Sequence, residues 1–275
     1  MNHKNVALGS ALLACALALP AQAEECKHTA QRTANSPGPN IERVVIEAGA
    51  GDLVVTGGQG SEVAVAGRAC ASTAELLDGS KLEIRRDGNT VYVRTVLPEI
   101  NDRIFGNRYA YIDVKVDVPK SATLKIDDSS GDIEVTDVQA ASIADSSGDQ
   151  HVERIAGNLD VADSSGEIKI ARVGGELKLK DSSGDVDVDD VQGDVIVDID
   201  SSGDLDIRHV AGTVHVRNDS SGAIEIHDVK RDVLIDDDSS GGIRVQDVGG
   251  NFTVGSDSSG GIHFDRVTGQ VKLPD

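Results

Sequence analysis

From Asp128 onward, aliphatic residues recur in short, fixed alternations separated by polar corners. An apolar–x–apolar triplet comes first, as in Ile133/Val135, Ile168/Ile170, Val186/Val188, Leu205/Ile207, Ile224/Ile226, Ile243/Val245 and Ile262/Phe264. Three residues later stands a lone aliphatic residue: Val138, Ile155, Val173, Val191, Val210, Val229, Val248 or Val267. A turn follows, often with Gly, and a second pair such as Leu177/Leu179, Val195/Val197 or Val214/Val216 closes the unit. Period-two alternation over three to five residues, bounded by Gly, predicts half-buried strands.

The punctuation is regular too. Asp-Ser-Ser-Gly begins at Asp128, Asp145, Asp163, Asp181, Asp200, Asp219, Asp238 and Asp257, with spacings of 17, 18, 18, 19, 19, 19 and 19. One unit of two short strands cannot bury its own apolar face. Stacked units turn each repeat position into a ladder and pair every strand with its neighbours. The expected fold is therefore all-β: a parallel β-solenoid (β-helix) of about eight 17–19-residue coils, on the order of 40 Å long at ~4.8 Å per coil. A β-propeller needs blades of about 40 residues; an antiparallel stack of hairpins stays as the alternative.

Upstream the pattern loosens. Val44-Val45-Ile46, Gly51–Val55 and Glu62–Val65 read as degenerate coils without the Ser pair. Lys81–Ile84 and Val91–Val93 flank Asp87-Gly88-Asn89 as a β-hairpin. Tyr111–Val118 is a long alternating strand ahead of Pro119. Residues 41–127 are thus expected as an N-terminal β section that caps the solenoid of residues 128–275, because open sheet edges invite pairing. Residues 24–40, with Asn35-Ser-Pro-Gly-Pro39, read as a flexible lead-in.

Composition changes this picture in two ways. With no Trp, three Phe and three Tyr in 275 residues, the core must be built from Val, Ile, Leu and Ala, which suits a narrow coil. The net charge is −21, and residues 128–275 hold 32 Asp/Glu against 12 Lys/Arg. Such acidity argues against nucleic acid as a partner. It suits a soluble exported protein, a cation binder or a surface that meets basic partners.

The first 23 residues read as a signal peptide: Lys4, an apolar run Val6–Leu19, then Ala21-Gln22-Ala23 with cleavage after Ala23. A retained transmembrane helix fits less well, since the run is short and Pro20 interrupts it. A lipoprotein signal ending at Cys15 is the minor alternative. Export leaves Cys26 and Cys70, for which an oxidising compartment predicts a disulfide; two free thiols are the competing reading. The expected destination is the periplasm or the cell surface and exterior, with no transmembrane segment after signal cleavage.

The export signal, the segments GDLVV (51–55) and KLEIRRDGNTVYVRTVLP (81–98), the strand ending in DVP (117–119) and the serial SSGD repeats resemble the bacterial "putative adhesin" β-strand-repeat family, related to head-GIN domain proteins. The resemblance covers roughly residues 41–275. It implies a β-solenoid in an exported or cell-envelope setting, and it brings no catalytic motif.

The candidate chemistry centres on the repeated corner. A carboxylate beside hydroxyls once per coil suits Ca²⁺, a hard cation that takes oxygen ligands. This would be a calcium ladder of Asp128, Asp145, Asp163, Asp181, Asp200, Asp219, Asp238 and Asp257. The structural reading is stronger. Asp and Ser cap downstream N–H groups, and Gly takes a positive φ, making corners of Gly131, Gly148, Gly166, Gly184, Gly203, Gly222, Gly241 and Gly260. Stacked aspartates ~5 Å apart would repel by roughly 0.8 kcal/mol per pair in water. No catalytic residue is assigned. The repeat histidines His151, His209, His215, His227 and His263 fall at different repeat positions, and no G-x-S-x-G elbow occurs. No cofactor is required, with calcium as the one candidate. The expected function is a non-enzymatic, adhesin-like interaction or structural module whose partner is an envelope protein or carbohydrate. The alternatives are a calcium-dependent surface binder of carbohydrate or a basic partner, and a polysaccharide-acting β-helix enzyme.

Overall fold

A computed structural model describes residues 26–100 and 108–274; the expected signal peptide and the Cys15 alternative lie outside the described residues. The chain winds into a parallel β-solenoid of about eight turns with roughly 19 residues per turn, flattened into two facing 12-stranded sheets. Each turn contributes one strand to each sheet. In the turn that starts at Asp181, Val186–Val191 lies in the first sheet and Val195–Asp200 in the second. Successive turns pair in parallel, with Val186 on Leu205, Val188 on Ile207, Val191 on Val210 and Val195 on Val214. All of these aliphatic side chains are 0–2 % exposed. Burying one of them contributes about 1.5–3 kcal/mol, and every turn repeats the contribution.

The lone aliphatic residue turns inward because of its predecessor. Asp137, Arg154, Arg172, Asp190, His209, Asp228, Asp247 and Arg266 all have φ between 53° and 62°. This left-handed residue uses up one position without reversing the alternation, so Val191 faces the core two polar residues after Val188. The change of period from 18 to 19 is also local. The second-sheet strand ahead of Asp200 gains one residue, its register shifts after Leu179, and Ile199 is left 46 % exposed.

The N-terminal section departs from sequential stacking. Its elements are β1 (His28–Ser36), β2 (Arg43–Glu47), β3 (Leu53–Gly58), β4 (Val63–Ala71), α1 (Ala74–Gly79), β5 (Lys81–Asp87), β6 (Thr90–Val96), β7 (Ala110–Pro119), β8 (Thr123–Asp127) and β9 (Ile133–Thr136). The turn made by β2 and β3 sits between the turn of β6 and β7 and that of β8 and β9. The chain therefore builds one turn, adds the next beneath it, and returns above it to begin the DSSG series. The degenerate coil expected at Glu62–Val65 is instead β4, antiparallel to β7; a strand next to a long free edge can pair in either direction.

The lead-in expected over residues 24–40 holds β1, antiparallel to β4 from His28–Ala71 to Ser36–Val63. Its sequence, HTAQRTANS, carries no apolar alternation because most of it is exposed or half-buried. Backbone pairing and the Cys26–Cys70 disulfide hold it. The expected hairpin forms as β5 and β6. β1 packs against β5, and Arg32 donates from Nε to the Ser80 carbonyl (3.1 Å) and from Nη2 to the Leu77 carbonyl (3.1 Å). These elements cover the solenoid at that end. In the penultimate turn Phe252 is fully buried, but Phe264 in the final turn, assigned an inward position by the pattern, is 46 % exposed. Among the described residues it has a neighbouring turn on one side alone.

Candidate functional site

The tetrad Asp-Ser-Ser-Gly and the residue after it, an Asp in four of the eight copies, make the corner at which the chain leaves the second sheet and enters the first. Its leading aspartate points inward. Asp128, Asp145, Asp163, Asp181, Asp200, Asp219 and Asp238 are 0–6 % exposed. Asp145 Oδ1 accepts from the backbone N–H groups of Ser146 (2.7 Å) and Ser147 (3.3 Å), the Asx turn that bends the corner. The second serine of each corner ties adjacent turns: Ser183 Oγ donates to the Ser164 carbonyl (3.0 Å) and Ser240 Oγ to the Ser220 carbonyl (3.1 Å).

The glycine is demanded by crowding. The corner glycines have φ from 121° to 152°, and a Cβ on any of them would lie 1.6–2.3 Å from the carbonyl oxygen of a glycine in the adjacent turn. The closing carboxylate faces solvent and reaches sideways. Asp132 Oδ1 accepts from Asp149 N (3.0 Å), Asp185 Oδ1 from Asp204 N (3.0 Å) and Asp204 Oδ1 from Ala223 N (2.9 Å). At the opposite corner Asn158, Asp194, Asp232 and Asn251 do the same for the next turn.

The inward aspartates carry the unusual electrostatics. Burial pushes Asp128 up to about 7, with the Asp145 carboxylate adding to the rise and the Ser129 N–H opposing it. Burial followed by repulsion from Asp219 and Asp181 pushes Asp200 up to about 7. Asp163 and Asp219 are raised to about 6, and Asp145, Asp181 and Asp238 are raised as well, in each case chiefly by burial. Among the described residues no group of three His, Cys, Asp or Glu side chains converges as a metal-binding cluster.

A family model described as Toastrack DUF4097 matches residues 41–272. The chain belongs to this family. No curated protein matches it. Among solved structures it is similar to a "putative cell adhesion protein" from Clostridium sporogenes at 9 % identity, with 90 % of this chain and 100 % of that one covered and a TM-score of 0.32. It is also similar to two proteins from Parabacteroides distasonis. One is a "putative adhesin" at 11 % identity, covering 90 % and 97 % of the two chains, with a TM-score of 0.41. The other is a "putative lipid binding protein" at 16 % identity, covering 89 % and 97 %, with a TM-score of 0.38.

In this Toastrack chain the remaining candidates are spread along the rod. His209 Nδ1 lies 2.6 Å from Asp189 Oδ1, His215 Nε2 lies 2.7 Å from Asp236 Oδ2, and His227 stands 3.9 Å from Glu225. Among the described residues no hydrogen bond joins a serine hydroxyl to a histidine; the corner hydroxyls run to backbone carbonyls. The outward column of the first sheet reads Glu134, His151, Lys169, Asp187, Asp206, Glu225, Arg244 and His263, in register. Beside it runs the left-handed column, which sequence reasoning missed. Its signal was available: a gap of two residues, the second always Asp, Arg or His, before each lone aliphatic residue. Asp and His are enriched at positive φ. Several neighbours along it pair, as in Arg154 with Asp137 (2.8 Å) and Arg266 with Asp247 (2.5 Å).

Proposed function

We propose that this Toastrack chain is an exported, non-enzymatic module of the cell envelope that recognises a protein or carbohydrate partner through the outer faces of its solenoid. The observation that carries this reading is the contrast between the two sides of each strand. Inward positions repeat aliphatic residues in register, while the outward column from Glu134 to His263 mixes acidic, basic and histidine side chains, with one acidic run at Asp187, Asp206 and Glu225. A polymer lattice would favour a repeated outer face; a recognition surface favours a varied one.

The carboxyl groups driven upward also support a module without catalysis. They lie inside the coil, 0–6 % exposed, where no polymer chain reaches them, whereas a glycosidase needs its carboxyl pair flanking a scissile bond. Among the described residues no helix is long and apolar enough to cross a membrane. Export rests on the N-terminal signal pattern, and calcium enters this reading only through the inner aspartate column.

The test is a pull-down from the envelope fraction with the mature protein, with and without EDTA, beside a variant carrying Asp187→Lys, Asp206→Lys and Glu225→Lys. The expected result is one defined envelope component, captured by the parent and lost by the folded variant. Specific capture of nothing under either condition, or capture indifferent to the altered face, would overturn the reading. Capture that requires divalent cation would establish the calcium-dependent form of it.

A further inference from the structure

The DSSG aspartates share one sequence context and one predicament. Each of Asp128, Asp145, Asp163, Asp181, Asp200, Asp219, Asp238 and Asp257 has at least one buried carboxyl oxygen without a hydrogen-bond partner. The donors that do reach the column are backbone N–H groups of the serines that follow, as at Asp145 and Asp181. The column is continuous. Asp181 pairs with Asp200, Asp200 with Asp219, Asp219 with Asp238 and Asp238 with Asp257 across adjacent strands, which places neighbours about 4.8 Å apart.

An ionised carboxylate can only accept, so a fully ionised column would leave these oxygens without donors and set like charges against one another away from water. A protonated carboxyl supplies the missing donor. We propose that the column is a proton-binding site. Neighbouring aspartates share protons along the column, a neutral carboxyl donating its O–H to an unpartnered oxygen of an ionised neighbour one turn away.

Three observations favour protons over a metal ion. Calcium takes six to eight oxygen ligands, and no cluster of three acidic or metal-ligating side chains is present among the described residues. The charges that act on the column are its own members and, at the outer edge of the corner, Asp52, Asp132 and Asp204; among the described residues no lysine, arginine or histidine neutralises it. The inward residues on either side are aliphatic, as with Val161 and Ile168 or Val197 and Leu205, except Gln150, which does not titrate. Like carboxyls sharing a site take up a proton between them, and the titration then belongs to the pair.

The sign follows from the upward shifts. The unfolded chain has ordinary aspartates and releases these protons near pH 4, while the folded column holds them to about pH 6–7. Stability is therefore undiminished below pH 4 on account of these groups and declines as the pH rises to about 7. In that window the folding constant falls by up to about tenfold per pH unit for each proton held.

The direct measurement is proton release when the mature protein is unfolded by denaturant at pH 5.5, read by a pH indicator in weak buffer. About four protons per chain are expected beyond those of a denatured control, one for each pair of neighbours among the eight aspartates. Asp200→Asn lowers that number by about one. The solvent-facing Asp204→Asn leaves it unchanged, because its carboxyl lies outside the column. Infrared spectra of the folded parent at pH 6 show a protonated-carboxyl C=O band, which weakens in Asp200→Asn. No proton release from the parent would overturn the proposal even if no variant folds. Release undiminished in Asp200→Asn would overturn the placing of these protons on the column. A melting temperature raised by Ca²⁺ above a control of matched ionic strength, and lowered by EDTA, would make the column a metal site instead.

Discussion

A single methyl group added at Gly222 should break the solenoid in its middle. Gly222 has φ +136°, and an ideal Cβ there would lie 1.7 Å from the carbonyl oxygen of Gly203 in the preceding turn. That oxygen is backbone and has no flexible end to swing aside. Reaching even a 3.0 Å contact means parting the turns by roughly 1.3 Å, the difference between the two distances. The bonds that cross this seam cannot stretch so far: Gly203 N to the Ser221 carbonyl at 3.2 Å and Ser221 Oγ to the Ser201 carbonyl at 3.2 Å. Each is worth about 1 kcal/mol net. The backbone conformation, open essentially to glycine alone, adds about 1–3 kcal/mol. Gly222→Ala should therefore cost about 3–5 kcal/mol, a large share of the 5–15 kcal/mol typical of a folded domain.

Guanidinium unfolding followed by far-UV circular dichroism measures this cost, with Gly242→Ala as the internal control. Gly242 directly follows the equivalent corner glycine, Gly241, and precedes the strand that begins at Ile243. It carries no positive φ, and a Cβ there would meet its nearest atom, the Gly261 carbonyl oxygen, at 4.0 Å. The control should stay within about 0.5 kcal/mol of the parent, as surface changes usually do. If Gly222→Ala loses no more than Gly242→Ala, the close approach of the turns is wrong and so is the account of the corner built on it.

Two further outcomes test the packing and the cap. Phe252→Ala removes the largest fully buried side chain and should cost about 3–5 kcal/mol by the same unfolding assay; a loss under 1 kcal/mol would contradict its burial. Cys70→Ser frees β1 from β4 by opening a cross-link that spans 44 residues, an effect of about 4 kcal/mol by loop-closure entropy. Reducing the parent should reproduce that loss, and reduction should leave the variant unchanged.

The repeats were legible from residues 128 to 275 because local rules and the global fold agree there. Val186/Val188 and Val195/Val197 specify strands by alternation, and the recurrence of Asp-Ser-Ser-Gly sets how often the chain turns. The N-terminal order was hidden for the opposite reason. That β2 and β3 pair with β6 and β7 on one side and β8 and β9 on the other depends on edges distant in the chain, and no local pattern records which free edge is filled first. The polar strand β1 was hidden in the same way. Its backbone, not its side chains, satisfies the edge of β4. Phe264 kept the inward repeat position, but exposure depends on the turn beyond it, not on the repeat.

The opening tetrad of each corner divides along the same line. By itself the sequence determined a coil, its period and a row of aspartates in register, because side-chain alternation and turn chemistry act over a few residues. Only the tertiary structure decided that the row faces inward and that each of its members keeps a buried oxygen without a partner. Desolvation and the repulsion between neighbouring carboxylates arise when separate turns close over one another, and no single tetrad encodes what their stacking creates.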